Sequence, residues 1–167
     1  MDSKADREAG SGAERTRAAL IEAGLRLFGQ HGFDATSTRM IAAEARANIG
    51  SIAYHFGGKE GLHRAVAEHV TAEIQQRLGP AAARVSEAFA AGALDKPSAR
   101  RLLQGMAEAH LDTMLGVREA EAWARFIVRE QMETSPVLET IIGFMAPVHA
   151  ILRRLVGVLV DRDPDGD

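Results

Sequence analysis

Cysteine is absent from the 167-residue chain, which removes disulfides and thiolate metal sites and fits a reducing, cytoplasmic setting. Aromatics make up 5% of the residues, with one tryptophan and one tyrosine, and proline does not occur before residue 80. β-Branched runs are scarce while alanine and leucine are abundant, so the chain reads as all-α. No uninterrupted apolar run approaches the length of a bilayer crossing. The N-terminus lacks the basic-then-apolar order of a secretory leader. No glycine-rich phosphate loop follows a strand pattern, and there is no nucleophile elbow. Nor do the histidines make a metal set: His63 and His69 are six apart and diverge on a helix, while His69 and Glu73 are four apart but lack a third ligand. The expectation is a protein that is not an enzyme and holds neither cofactor nor metal. A basic excess is missing too. The net charge of -3 argues against indiscriminate coating of nucleic acid, yet leaves room for a local basic face.

What the chain does have is a composition of 46% hydrophobic and 26% charged residues, ordinary for a globular protein. Within it, the stretch Ser37–Phe56 packs two short helical patterns either side of a tight break. Ile41, Ala42 and Ala45 share one helix face, with Ser37 placed to cap its start. Ile49, Ile52, Ala53 and Phe56 form a second face, with Asn48 at the N-cap position. With only Ala45-Arg46-Ala47 between them, two such helices must cross steeply. That is a helix-turn-helix, whose second helix enters the DNA major groove by its N-terminal residues. Between Ala13 and Gly58, five arginines face four carboxylates, a net of about +1 that is thin support by the charge criterion. The geometry carries the argument.

Around this stretch the pattern is helical throughout. Residues 1–12 are charged, small and aperiodic, predicting a mobile tail. From Ala13 to Gln30, the residues Leu20, Ala23, Gly24, Leu27 and Phe28 make a buried stripe, Gly32 a stop and Phe33 a plug beyond it. His31 is placed to meet the last carbonyls. Glycines 57, 58 and 61 lead into a long helix from Lys59, with Leu62, Ala65, Val66, His69, Val70 and Ile74 on a mixed face. Gly79-Pro80 ends or kinks it, and a further helix is expected over 81–91. Pro97 opens the next, to about Met114, and another covers 119–132. The last helix carries Leu138, Ile141, Ile142, Met145, Val148, His149, Leu152 and Leu155 on a wide apolar stripe. Residues 161–167 read as a frayed tail. The predicted domains are therefore a helix-turn-helix domain over 13–58 and a helical domain over 59–160.

Ala23 with LeuPhe at 27 and 28, GlyPhe at 32 and 33, ThrSer at 36 and 37, IleAla at 41 and 42, TyrHisPhe at 54–56, and Lys59 with Leu62 together resemble the TetR family of bacterial transcriptional regulators. The spacing is matched over residues 13–70 with no insertion. The phrase from Ala47 to Gly61 looks like one subgroup, the CecR-like regulators, and ArgGluGln at 129–131 followed by ThrSerPro is similar to their C-terminal domain. Three positions depart from the family pattern: Arg46 stands where glycine is usual in the turn, Ala53 where many members carry tyrosine, and Gly61 where glutamate is common.

Roles read from the residues agree with the resemblance. Arg39 reaches a phosphate or guanine edge from the first turn of the positioning helix, with Thr38 bonding backbone. Asn48, Ile49, Gly50 and Ser51 open the recognition helix: Gly50 allows close approach, Ile49 meets a thymine methyl, and Ser51 bonds phosphate or base. Tyr54 and His55 offer phosphate hydrogen bonds one turn on, and Lys59 holds a phosphate together with the amides at its helix start. The resemblance implies a homodimer on a palindromic operator, with recognition helices roughly 34–36 Å apart. It implies a C-terminal domain that binds a small-molecule effector, and hence ligand-relieved repression. Pocket candidates are Met106, His110, Met114, Trp123, Phe126 and Phe144, residue types that are more often core. Arg125 and Arg129 are better explained by pairing with Glu121 and Glu133 than by an anionic ligand. Leu138, Ile142, Met145, His149 and Leu152 are the dimer-face candidates. The family generally pairs two antiparallel C-terminal helices per subunit. Here one follows Pro136, so either the chain is truncated or helix 119–132 takes the second place. The competing reading is a helical dimerisation or interaction module without DNA binding.

Overall fold

A computed structural model describes residues 3–92, 94–133 and 135–162, with side chains described from Gly12 onward. Among the described residues there are seven helices and no strand: α1 Ser3–Ala35, α2 Thr38–Glu44, α3 Gly50–Phe56, α4 Lys59–Ala90, α5 Lys96–Leu115, α6 Ala120–Met132 and α7 Leu138–Leu159. They fall into two compact units. One comprises Met1–Val70 with Ala122–Leu138; the other comprises Thr71–Glu121 with Glu139–Asp167. The first unit thus takes in the start of α4 and nearly all of α6, beyond the boundary at residue 58 expected from the sequence.

In the first unit, α1 is the central rod. It begins at Ser3, ten residues before the start read from periodicity, so the segment predicted as a mobile tail is helical from Ser3. Apolar periodicity marks only where a helix is buried; an Ala-, Glu- and Arg-containing extension needs no core to keep its backbone bonded. Leu20, Ala23 and Phe28 are buried as predicted, but Ile21 and Leu25 are buried as well. The face is wide because two helices cover it. A methyl group at Gly24 would lie 3.1 Å from Val66 Cγ2 of α4, and one at Gly29 would lie 3.2 Å from the backbone nitrogen of Phe126 in α6. Both glycines let a neighbouring helix approach more closely than alanine would allow. The helix breaks at Gly32 (φ 82°, ψ 171°), where the stop was predicted. Thr36 seals the break, its hydroxyl lying 2.7 Å from the Gly32 carbonyl and 3.1 Å from that of Leu27. His31 does not cap this end; it is exposed, and the Arg129 guanidinium from α6 donates instead to the carbonyls of Gly29 and Gln30.

A buried polar pair ties α4 to α6. His63 Nε2 and Glu130 Oε1 are 2.8 Å apart, with side chains 2% and 0% exposed. Phe28, Phe33 and Phe126 surround the imidazole, with ring centroids 4.7, 4.7 and 5.6 Å away. The second carboxylate oxygen, Glu130 Oε2, has no hydrogen-bond partner among the described residues. In so apolar a setting each member depends on the other for its polar contact.

In the second unit α4 runs on through Pro80 as one helix to Ala90, so the separate helix expected over 81–91 is a continuation. Proline removes a single backbone bond and bends a helix, and packing on both sides keeps the axis going. Ala81, Val85, Ala99, Met106 and Leu155 form the core, with Leu102, Leu103, Val148 and Leu152 packed against it. Asp95 caps α5, accepting from the Ser98 N–H at 2.9 Å. The hydrogen bonds from Ser98 hold its carboxyl below the usual aspartate range. The cap is thus at full strength above that range and is lost as pH falls through the depressed value. α7 is long and apolar enough by length and composition to cross a membrane. Uninterrupted apolar runs do not reveal this, because Arg153 and Arg154 split the stretch. Residues 163–167 of the predicted frayed tail lie outside the described residues.

Removing one member of the buried pair strands the other. His63→Leu or Glu130→Leu alone should lower unfolding free energy by about 3–5 kcal/mol, and the double substitution should recover most of the loss. Urea denaturation of the four proteins of the cycle measures it.

Candidate nucleic-acid interface

The region from Thr38 to Lys59 presents the predicted contact residues on short, tightly terminated helices. Ser37 caps α2 as expected, its Oγ accepting from the Met40 N–H at 3.2 Å. The other end closes by paired backbone bonds: Ala47 N–H to the Ala42 carbonyl at 2.9 Å and Arg46 N–H to that of Ala43 at 3.1 Å. This is the Schellman arrangement, which places one residue in the left-handed region, usually glycine. Here that residue is Arg46, with φ 51°. The family departure noted in the sequence therefore leaves the turn intact and loads it with strain.

The chain re-enters a helix at once. Asn48 Oδ1 accepts from the Gly50 N–H at 2.8 Å, and Ile49 already has helical dihedrals (φ -57°, ψ -34°), so Asn48 acts as the N-cap its position predicted. Gly57 in the left-handed conformation ends α3. Between these ends a single α3 side chain, Ile52, is buried. Ile41 and Ala42 anchor α2 in the same way, and both helices pack on α1. The apolar face read across Ile49, Ile52, Ala53 and Phe56 is thus narrower than expected. Ala53 is exposed and Phe56 half-buried, because α1 covers only one side of a two-turn helix.

What α3 does not bury, it presents. Ile49 is 50% and Tyr54 82% exposed; Arg39, Asn48 and Gly50 are exposed, while Thr38, Ser51, His55 and Lys59 are half-buried. All nine predicted contact residues lie in the first unit, and none is walled in. The His55 ring sits edge-on to Tyr54 at 4.9 Å. Lys59 is less free than predicted: its ammonium lies 4.1 Å from the centre of the Phe33 ring. Glu60 occupies the first turn of α4, so a carboxylate already complements the amides predicted to share a phosphate with Lys59. Arg26 holds Glu44 at 3.1 Å and Glu22 at 4.0 Å, pairing one carboxylate of α2. The exposed arginines Arg46 and Arg17, the latter 5.5 Å from the Phe56 ring centre, add positive charge that periodicity could not assign to this face.

The effector candidates divide between the two units. Trp123 and Phe126 belong to the first unit, where Phe126 packs edge-on against His63 at 5.6 Å. Met106 is part of the second unit's core. His110 is exposed and Met114 half-buried. Phe144 lines a cavity of about 420 Å³ in the second unit. A methionine or aromatic at helical spacing fills core and pocket alike, and periodicity does not separate them. Arg129 pairs with Glu133 at 3.1 Å as expected. Of the dimer-face candidates, Ile142 is 54% exposed and His149 is exposed, while Leu138, Met145 and Leu152 are half-buried.

With this geometry in hand, two family models match. Residues 20–66 match "Bacterial regulatory proteins, tetR family", and residues 99–167 match the C-terminal domain of the HTH-type transcriptional dual regulator CecR. The CecR protein of Shigella flexneri is 33% identical over 144 residues, covering 86% of this chain and 64% of that protein. The HTH-type transcriptional repressor Rv3405c of Mycobacterium tuberculosis is 38% identical over 68 residues, 41% of this chain and 36% of that one. The chain therefore spans less than two thirds of the first relative's length and about a third of the second's. A crystal structure of a HlyIIR mutant shares the fold, with a TM-score of 0.62 at 20% identity over 89% of this chain and 73% of that one.

Relief of the turn strain is measurable. Arg46→Gly should raise unfolding free energy by about 1 kcal/mol, since glycine accepts the left-handed region. Asn48→Ala should lower it by about 1 kcal/mol through loss of the cap. Chemical denaturation midpoints of both variants test the two ends of the turn.

Proposed function

The chain belongs to the TetR family of bacterial regulatory proteins, and from that membership we propose that it is a sequence-specific DNA-binding transcriptional regulator. The observation that carries the reading is α3 itself, held by Ile52 and leaving Ile49 and Gly50 outward at the end that enters a groove, with Tyr54 exposed one turn on. Gly50 lets backbone approach the bases, and Ile49 offers an apolar contact to a thymine methyl. Arg39, Thr38, Asn48, Ser51, Tyr54 and His55 supply phosphate and base hydrogen bonds that set register. Lys59 adds charge from the ring of Phe33.

In this reading the protein is a cytoplasmic repressor, active as a homodimer on a palindromic operator and released by a small-molecule effector. Rv3405c is named a repressor and CecR a dual regulator, and repression needs only occupancy of the operator. The dimer face is assigned to the outer side of α7, where Ile142 and Val156 are about half exposed, as is Val160 just beyond it. Such an apolar surface on a helix that also carries Glu139, His149 and Arg153 suits a partner helix better than a bilayer. Release by an effector requires that it bind the DNA-free form better, and DNA must then weaken effector binding by the same factor. No catalytic step, metal or cofactor enters this scheme.

Phosphate contacts leave a signature in salt. Binding of a labelled random-sequence duplex should weaken on Arg39→Ala and on Lys59→Ala. Each substitution should reduce the slope of log K against log salt by about 0.9 for every phosphate that the side chain neutralises in each protomer. An unchanged slope and affinity for either variant would remove that residue from the interface.

A further inference from the structure

Two helices of the second unit carry glycine and proline in their interiors, on the walls of one cavity. α4 contributes Gly79, just before Pro80, and α7 contributes Gly143 and Pro147. Interior glycine destabilises a helix relative to alanine, so each position invites a reason. Crowding is not the reason: a methyl group built at Gly79 or Gly143 would meet nothing within 4 Å. What the two share is the space between them. Side chains there would fill it, and glycine leaves it open.

The space is an open groove of about 420 Å³, within the volume range of small-molecule sites, with Gln75, Ala83, Ser86, Gly143 and Pro147 exposed along it. Its wall is mainly apolar, with Phe144 on the α7 side, and it carries no ionisable side chain. The polar lining side chains are Thr71, Gln75 and Ser86. Ser86 donates its hydroxyl hydrogen to the Ala82 carbonyl at 3.1 Å, which leaves its oxygen free to accept. Pro147 has no N–H to return to the Gly143 carbonyl four residues back, so that backbone acceptor lacks its helical donor. An ionised ligand would find no counter-charge on this wall and its charged group would gain nothing from the apolar lining. We propose that this cavity binds an uncharged, largely apolar small molecule whose one or two polar groups meet Gln75 and the Gly143 carbonyl. Its role as the effector site rests on the regulator reading above; the binding itself does not. Gly143, Phe144, Pro147 and Val148 lie on a different side of α7 from Ile142 and His149, so the cavity is separate from the face assigned to dimerisation.

The test is a fluorescence titration of the full chain with N-phenyl-1-naphthylamine, which is neutral, beside 1-anilinonaphthalene-8-sulfonate, the same skeleton bearing a sulfonate. The neutral probe should bind saturably, and the anionic one about tenfold more weakly. Gly143→Leu and Gly79→Leu should each weaken the neutral probe about tenfold without lowering the melting temperature, since both replace a helix-interior glycine. Gly105→Leu on α5 also has room for its side chain but is off the cavity wall, and should leave binding unchanged. Equal binding of both probes, or binding indifferent to both cavity variants, would overturn the proposal. So would a drop in binding on Ile142→Gln in their place, which would put the probe on the open face of α7. Duplex binding by the unliganded chain is scored separately: its absence would sink the regulator reading and leave the cavity result standing.

Discussion

α3 is two turns long and has one buried side chain. A helix that short does not persist in water by itself, so its existence depends on what holds Ile52 and on what closes its two ends. Asn48 closes one end and Gly57 the other, and α1 supplies the floor. On the proposed function the demand is functional as much as structural. A helix that must enter a groove cannot wrap its flanks in protein, and every residue it keeps outward is one it cannot use for stability. The constraint explains why Ala53 and Ile49, apolar as they are, stay exposed.

The floor is in turn braced from far along the chain. α6 follows α1 by some ninety residues, yet it supplies Glu130 to His63, Phe126 to the same imidazole, and Arg129 to the carbonyls before the Gly32 break. These contacts converge on the end of α1 and the start of α4, the segments that flank the helix-turn-helix in sequence. Replacing a buried histidine–glutamate pair by apolar residues of the same shape is often close to neutral for stability. The pair does fix which residues of α4 and α6 face one another, since a shift of either helix separates His63 from Glu130. Phe33 contacts both His63 and Lys59, its ring tilted against the imidazole and carrying the ammonium.

The parts legible in the sequence were those whose causes are local. Ser37 and Asn48 could be named as caps because a cap is a matter of one side chain and the next three residues. The break at Gly32 and the steep turn at Ala45–Ala47 follow from the same short-range logic. Where a stripe must choose its partner, the pattern fell silent. The face of α1 that buries Ile21 and Leu25 is widened by a second covering helix, and nothing near residue 25 announces α6 a hundred residues away. Phe126 and Trp123 could be recognised as buried types, but not as part of the unit that holds the helix-turn-helix. Pro80 reads in the sequence as an end or a kink because its cost is local, whereas the packing that carries α4 past it is not. Gly79 and Gly143 gave no sign of sharing a cavity, since neither periodicity nor spacing relates them.

The account stands on the outward leading end of α3 reading a base sequence. Selection of bound duplexes from a random pool tests this most directly. It predicts an enriched inverted repeat, with half-site centres about 10–10.5 base pairs apart, or a multiple of that turn, for a two-fold dimer. Retention of duplexes with no enriched sequence, at salt concentrations where the chain still binds, would contradict it.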